Sequence, residues 1–252
     1  MWVFVLSWTN HIINPQNNSS GLFGLFLTGK LTQITHFDTI GLFQCILPRI
    51  PAEQSELLME EKTIGLLLQS FPYLSSHRIL KVLTPKAGLL TFMARFGASK
   101  RAALTTPFLL ADWIYAKDKK EIHTLTDASL VDNFSSLKQT YERVEAAGKL
   151  AQDLLRTQLP GKPTEAPFEL AVACLRKIDI FSNPETLVAA FRLKLLVVEG
   201  LLNVSEPEVA FTPPEQVLFE QLANAKSFAQ LAALAVDKAL FQKIDRLFEN
   251  FL

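Results

Sequence analysis

Between Thr63 and Thr126 the chain breaks into five short apolar runs, with no room for a long helix between any two of them. The runs cover residues 63–69, 78–83, 89–96, 108–116 and 121–126. Turn-forming residues separate them: Phe71-Pro72-Tyr73-Leu74-Ser75-Ser76 after the first, Thr84-Pro85-Lys86-Ala87-Gly88 after the second and Asp118-Lys119-Lys120 before the last. In the third run Leu90, Phe92, Ala94 and Phe96 share one face and Thr91 and Arg95 the other, the period-two pattern of a strand lying on a core. Five short strands connected in this way predict a small closed barrel of the OB type, because closure removes exposed sheet edges. Gly88 and Gly97 stand at turns where a positive φ is expected, a conformation that glycine adopts without steric cost.

After Asp127 the period changes. Leu130, Phe134, Leu137, Tyr141, Val144, Gly148, Ala151 and Leu155 alternate spacings of four and three, which predicts one long helix with a single apolar stripe. A second helix is expected over about 168–180, and a third after an Asn183 cap with Pro184 in its first position. Thr212 to Glu215 and Ser227 to Gln230 have the spacing of capping boxes. A last helix draws its core from Leu231, Leu234, Leu240, Ile244, Leu247 and Phe251. The expected fold class is therefore α+β, with an N-terminal OB-type β-barrel over 59–128 followed by an all-helical domain over 129–252.

Residues 1–58 sustain neither period, and the first convincing strand begins just after Met59. Two readings stay open: that the biological start is Met59 and the upstream segment an artefact of gene prediction, or that residues 1–58 are a genuine but poorly ordered arm. Its apolar runs are too short to span a membrane and lack the basic start of a secretory signal. Gly24, Gly29 and Lys30 have the spacing of a phosphate-binding loop, but Leu31 stands where Ser or Thr must hold magnesium.

The formal net charge is zero, yet its distribution is uneven. From Lys62 to Ala111 there are seven basic residues and no acidic one, whereas Leu195 to Ala225 carries five glutamates and no Lys or Arg. A basic barrel and an acidic helical stretch suit a module that neutralises phosphates on one face. The candidate phosphate contacts are Arg78, Lys81, Lys86, Arg95, Lys100 and Arg101. Of the two cysteines, Cys174 reads as a small core residue, and two cannot build a structural zinc site. Free thiols fit a reduced, cytoplasmic compartment.

No nucleophile elbow, metal helix or deaminase pattern is present, and the four histidines are scattered. His77 and His123 fall on predicted strands as surface or edge residues, and nothing assembles around Asp112 and Asp127. No catalytic site, metal or cofactor is expected. Two other readings stay open, a generic RNA- or tRNA-binding OB module and an enzyme whose site is invisible in local sequence.

Thr63-Ile64-Gly65-Leu66-Leu67-Leu68, Phe71-Pro72-Tyr73 and the run from Arg78 to Leu89 resemble the N-terminal barrel of the RecO family of bacterial recombination mediators. Phe96-Gly97-Ala98-Ser99-Lys100-Arg101 is similar to that family's glycine-plus-basic loop, and Phe191-Arg192-Leu193-Lys194-Leu195-Leu196 with Gly200 to a pattern in its helical domain. The resemblance implies binding of single- and double-stranded DNA, annealing of single strands and help in loading RecA on strands covered by single-strand-binding protein. It further implies RecR as partner, a nucleoid-associated location, and docking of the acidic tail of single-strand-binding protein on the helical domain. Lys138, Arg143, Lys149 and Arg156, with Arg192 and Lys194 nearby, are the residues expected to hold that tail.

Overall fold

A computed structural model of the chain describes residues 60–95, 106–117, 121–204, 209 and 211–252. The expectations for residues 1–58, for Gly97 and for Lys100 and Arg101 lie outside the described residues. Five strands, β1 (Glu60–Tyr73), β2 (His77–Thr84), β3 (Gly88–Arg95), β4 (Leu109–Ala116) and β5 (Ile122–Asp132), close in the order β1-β2-β3-β5-β4. All neighbours are antiparallel except β3 and β5, which run parallel. This is the predicted OB-type barrel. Its interior is filled by Leu67, Leu80, Val82, Leu90, Phe92, Ala94, Leu109, Ala111, Trp113, Tyr115 and Leu125, so the alternation read in 89–96 points inward as expected.

The first strand serves two partners. Residues Glu60 to Leu67 pair with β4 and Leu66 to Tyr73 with β2, so the strand must bend sharply where the two pairings meet. Gly65 sits at that bend: a Cβ there would lie 2.4 Å from Val82 Cγ1 and 3.1 Å from Trp113 Cδ1, and the Trp113 indole N–H donates to the Gly65 carbonyl at 3.0 Å. A bulge between Leu67 and Gln69 inserts one residue into the ladder. Because side chains alternate with period two, that single residue exchanges the faces of everything after it.

Two strands run farther than the sequence pattern suggested. Phe71, Pro72 and Tyr73, read as a loop, are the end of β1, and the chain reverses only at Leu74, whose φ is 54°. Proline is tolerated at 72 because β4 pairs with β1 only as far as Leu67, which leaves this end of the strand a free edge. At the other end of the barrel Leu130 belongs to β5, opposite Ala111, and not to a helix.

The long helix predicted from Leu130 is in fact a strand end, a 3₁₀ turn and a helix in succession. Phe134 adopts a left-handed conformation with its N–H bound to Asp132 Oδ1 at 2.9 Å, then a 3₁₀ turn covers Ser135–Gln139 and α1 covers Tyr141–Thr157. These breaks shift the helical phase. The buried face is Ala146, Ala147, Leu150, Ala151 and Leu154, while Tyr141 and Val144 of the predicted stripe are exposed.

The remaining helices are α2 (Glu165–Lys177), α3 (Pro184–Val198), α4 (Pro213–Asn224), α5 (Phe228–Ala232) and α6 (Lys238–Asn250). Asn183 caps α3 as read, accepting from the Glu185 N–H at 3.0 Å, and the Glu215 carboxylate accepts from the Thr212 N–H at 2.7 Å at the start of α4. The single last helix expected from Leu231 onward is two, because Asp237 starts α6 afresh by accepting from the Leu240 N–H at 2.7 Å. Helix α3 is central, with every residue from Thr186 to Leu193 buried. Leu66, Leu68, Leu83, Leu89 and Leu110, on the outside of the barrel, join the helical core.

Candidate nucleic-acid interface

Beyond Leu66, Leu83 and Leu89, which join the helical core, the outer face of the barrel continues along the strands, and the registers of β1, β2, β3 and β5 lay its residues out in rows. Residues directly opposite across a ladder share a face. Tyr73, His77 and Arg95 form one row; Phe71, Ile79, Met93 and Thr124 the next; Gln69, Lys81, Thr91 and Ile122 the third. The bulge after Leu67 sets this arrangement, since it carries Phe71 and Tyr73 to the outer face and turns Ser70 and Arg78 to the other, where the Arg78 Nε donates to Ser70 Oγ at 2.9 Å. Phe71 is 37% exposed, Tyr73 48% and Ile122 44%. Ile79, across the ladder from Phe71 in the same row, is buried.

No row contains a carboxylate. Two other lysines of the barrel are compensated: Lys62 pairs with Asp112 at 2.8 Å and Lys117 with Glu61 at 2.8 Å. Lys81 and Arg95 form no ion pair among the described residues, so the outward face keeps a positive charge. Lys86 is exposed and likewise forms no ion pair among the described residues, but it occupies the turn at the opposite end of the β2–β3 hairpin, about 25 Å along the strands from Arg95. That turn lies against the segment joining α1 to α2. Gly161 N–H donates to the Ala87 carbonyl at 2.9 Å, Thr164 N–H to the Pro85 carbonyl at 2.8 Å and Leu89 N–H to the Leu159 carbonyl at 3.3 Å. Of the four described candidates, then, the fold brings Lys81 and Arg95 to one face, sets Arg78 on the neighbouring inner side and separates Lys86 from all three.

His77 lies on the outer face with its Nδ1 3.2 Å from Ser76 Oγ. His123 is half-buried. Its ring is tilted against Tyr115 (centroids 5.3 Å apart) and Phe92 (6.5 Å) at the end of the barrel interior. Beside it the Tyr115 hydroxyl donates to Glu61 at 2.7 Å; burial and that carboxylate push the phenol well above its ordinary value.

The family described as Recombination protein O N terminal matches residues 59–134, the whole of the barrel. A DNA repair protein RecO from Chlamydia pneumoniae is 28% identical, with 74% of this chain and 86% of the relative aligned. One from Chlamydia trachomatis serovar L2 is 27% identical over 75% and 90%, and one from Listeria welshimeri 27% over 56% of each. The chain is thus similar to the RecO family, to the family model through its barrel and to RecO proteins along most of its length.

In this RecO-like chain the cations expected to meet a partner are unequal. Arg156 makes a two-pronged bridge to Glu249 at 2.6 and 2.7 Å, and Lys149 reaches Glu145 at 3.2 Å and Glu185 at 3.9 Å. Arg143 donates to the carbonyls of Ser136 and Asp179 and to Gln139, uncharged acceptors that hold the helix start against two 3₁₀ turns. Lys138 is exposed on the 3₁₀ turn, not on the long helix, and forms no ion pair among the described residues.

Arg192 and Lys194 are not part of a basic rim. Arg192 is buried, with Asp153 at 2.8 and 3.2 Å, Asp245 against its other side, and the rings of Phe241 and Phe248 beneath it. Burial opposes its charge, but the two carboxylates outweigh that and hold the guanidinium above its ordinary value. Lys194 donates to the carbonyls of Ala223 and Ala225 at 3.1 and 2.7 Å and so closes the end of α4. Local sequence gave no sign of this, because Asp153, Arg192 and Asp245 come from three separate helices.

Proposed function

We propose that this RecO-like chain acts in DNA repair as an accessory protein that binds DNA through the outer face of its barrel and has no catalytic site of its own. The observation that carries the reading is an exposed sheet face on which Lys81 and Arg95 stand without carboxylate partners among the described residues, in a barrel that matches the RecO family. Cations free of internal partners are available to phosphates, and their contacts set register and affinity but not sequence preference. Arg78 and Lys86 contribute at the margins of that face, and Lys100 and Arg101 extend it in sequence. Residues 59–128 form the DNA-binding part and 129–252 the part that meets proteins.

The wider role is that of a mediator in the cytoplasm, associated with the nucleoid. It anneals single strands and helps RecA replace single-strand-binding protein, with RecR and the acidic tail of single-strand-binding protein as partners. Among the helical candidates Lys138 and Arg143 are best placed for the tail, since their charges are not already met by carboxylates, whereas a tail must displace Glu249 from Arg156 and two glutamates from Lys149. Among the described residues no helix is long and apolar enough to cross a membrane.

Gel-shift titration of labelled single-stranded and duplex DNA across a salt series tests the DNA reading. Affinity should fall steeply with salt, and Lys81→Ala with Arg95→Ala should lower it about equally for all sequences and reduce the salt slope by roughly one per lost contact. Lys100→Ala with Arg101→Ala should behave in the same way. Absence of DNA binding by the intact protein at low salt would refute the proposal, and preference for a structured RNA over every DNA would favour the RNA module. For the tail, a fluorescent acidic peptide should lose affinity for Lys138→Glu and Arg143→Glu while DNA affinity is retained.

A further inference from the structure

We propose that Phe71 and Tyr73 form a stacking platform for two unpaired bases, which makes the outer barrel face a single-strand site in preference to a duplex site. The inference rests on the DNA-binding reading above and adds the form of DNA that the face takes.

The two rings belong to neither hydrophobic core, and neither contacts another aromatic ring among the described residues. Their exposure follows from the bulge after Leu67; without that extra residue Ser70 and Pro72 would face outward in their place. A fold that places Phe92 and Trp113 inside the barrel thus leaves two aromatic side chains standing on its surface, Phe71 across the ladder from the buried Ile79.

Alternate residues of a strand are about 7 Å apart. Stacked bases of a duplex rise 3.4 Å per step and turn only their edges outward. Two rings at twice that rise cannot each meet a base face unless the strand is unpaired and extended. Base faces are bound by aromatic rings with little sequence preference. The cations complete the site: Arg95 lies across the His77 strand from Tyr73, in the same row, and Lys81 stands one row beyond Phe71, so each ring has a positive charge within about 10 Å for the flanking phosphate. Met93 on β3, in the row of Phe71, and Ile122 on β5, beyond Lys81 and Thr91, add apolar surface to the same face.

The test is to measure affinity for a twenty-base oligo-dT and for a twenty-base-pair duplex, each over a salt series, with the wild-type chain, Phe71→Ala/Tyr73→Ala, Phe71→Trp/Tyr73→Phe and Lys81→Ala/Arg95→Ala. Loss of both rings should weaken oligo-dT binding on the order of a hundredfold, about tenfold for each ring, with the salt slope kept. Duplex affinity should change by less than about twofold, and the variant that keeps two aromatic rings should bind oligo-dT as the wild type does. The lysine–arginine variant should instead lower both affinities and the salt slope. Wild-type binding to oligo-dT with no loss on removing the rings, or an equal loss for strand and duplex, would overturn the platform while leaving the DNA reading intact. A wild-type chain that binds neither DNA would overturn both.

Discussion

Replacing Gly88 by alanine probes the joint between barrel and helices. Gly88 has φ of +69°, and a Cβ at this position would lie 2.3 Å from the Leu159 carbonyl oxygen and 2.5 Å from that of Lys162. The left-handed backbone alone costs an L-residue roughly 1–2 kcal/mol. The contacts are with backbone atoms and cannot be relieved by a rotamer change, so the β2–β3 turn must separate from the α1–α2 segment. That segment is bound to it through Leu89 N–H to Leu159, Gly161 N–H to Ala87, Thr164 N–H to Pro85 and the Thr164 hydroxyl to Thr84. With each bond worth about 1 kcal/mol net, loss of two of them brings the total to about 3–4 kcal/mol. For a chain of this size that corresponds to a fall of roughly 6–15 °C in Tm. Gly161→Ala is the control: its φ is +76° but no atom lies within 4 Å of the added Cβ, so it should lose only the backbone cost. Urea unfolding of both variants gives the comparison. Equal losses, or an unchanged Gly88→Ala curve, would refute the argument that this turn is clamped against the helices.

Three further outcomes can be checked. Arg192→Met should destabilise the helical part by about 3–5 kcal/mol in urea unfolding, because it strands the buried Asp153 carboxylate without its counter-ion; adding Asp153→Asn should recover part of the loss. The Glu215 carboxyl, held down to about 2 by Lys243 and by the Thr212 backbone and hydroxyl, favours its charged form in the folded state. Its contribution is therefore complete above the ordinary carboxylate value of 4.5 and is lost as pH falls towards 2; Glu215→Gln should flatten stability over that window, and carboxyl NMR should show the low titration. Burial pushes the Cys174 thiol up to about 12, so peptide mapping after iodoacetamide at pH 8 should find it unmodified in the native protein and modified after unfolding.

Much of the barrel was legible in the sequence because each strand's burial repeats with period two, a local property. Leu90, Phe92 and Ala94 point inward as read, and Gly88 has the positive φ its turn demanded. Asn183, Thr212 and Ser227 mark helix starts for equally local reasons: Asn183 and Ser227 accept from N–H groups two and three residues on, and the Thr212 N–H donates to the Glu215 carboxylate. The misread positions share a different cause. The stripe from Leu130 to Leu155 kept a helical spacing by coincidence across a strand, a left-handed residue and a 3₁₀ turn, and no local pattern announces such breaks.

The sequence by itself determined the OB-type barrel, the helices after it and the excess of positive charge on the barrel, because these follow from residue type and short-range spacing. Which charges remain free was decided only by tertiary structure. Ion pairing depends on carboxylates far away in the chain, as Asp112 for Lys62, Glu249 for Arg156 and the Asp153–Asp245 pair for Arg192. The outward placement of Phe71 and Tyr73 was likewise decided by a single bulged residue in the β1–β2 ladder, since a one-residue shift in a period-two element exchanges its two faces.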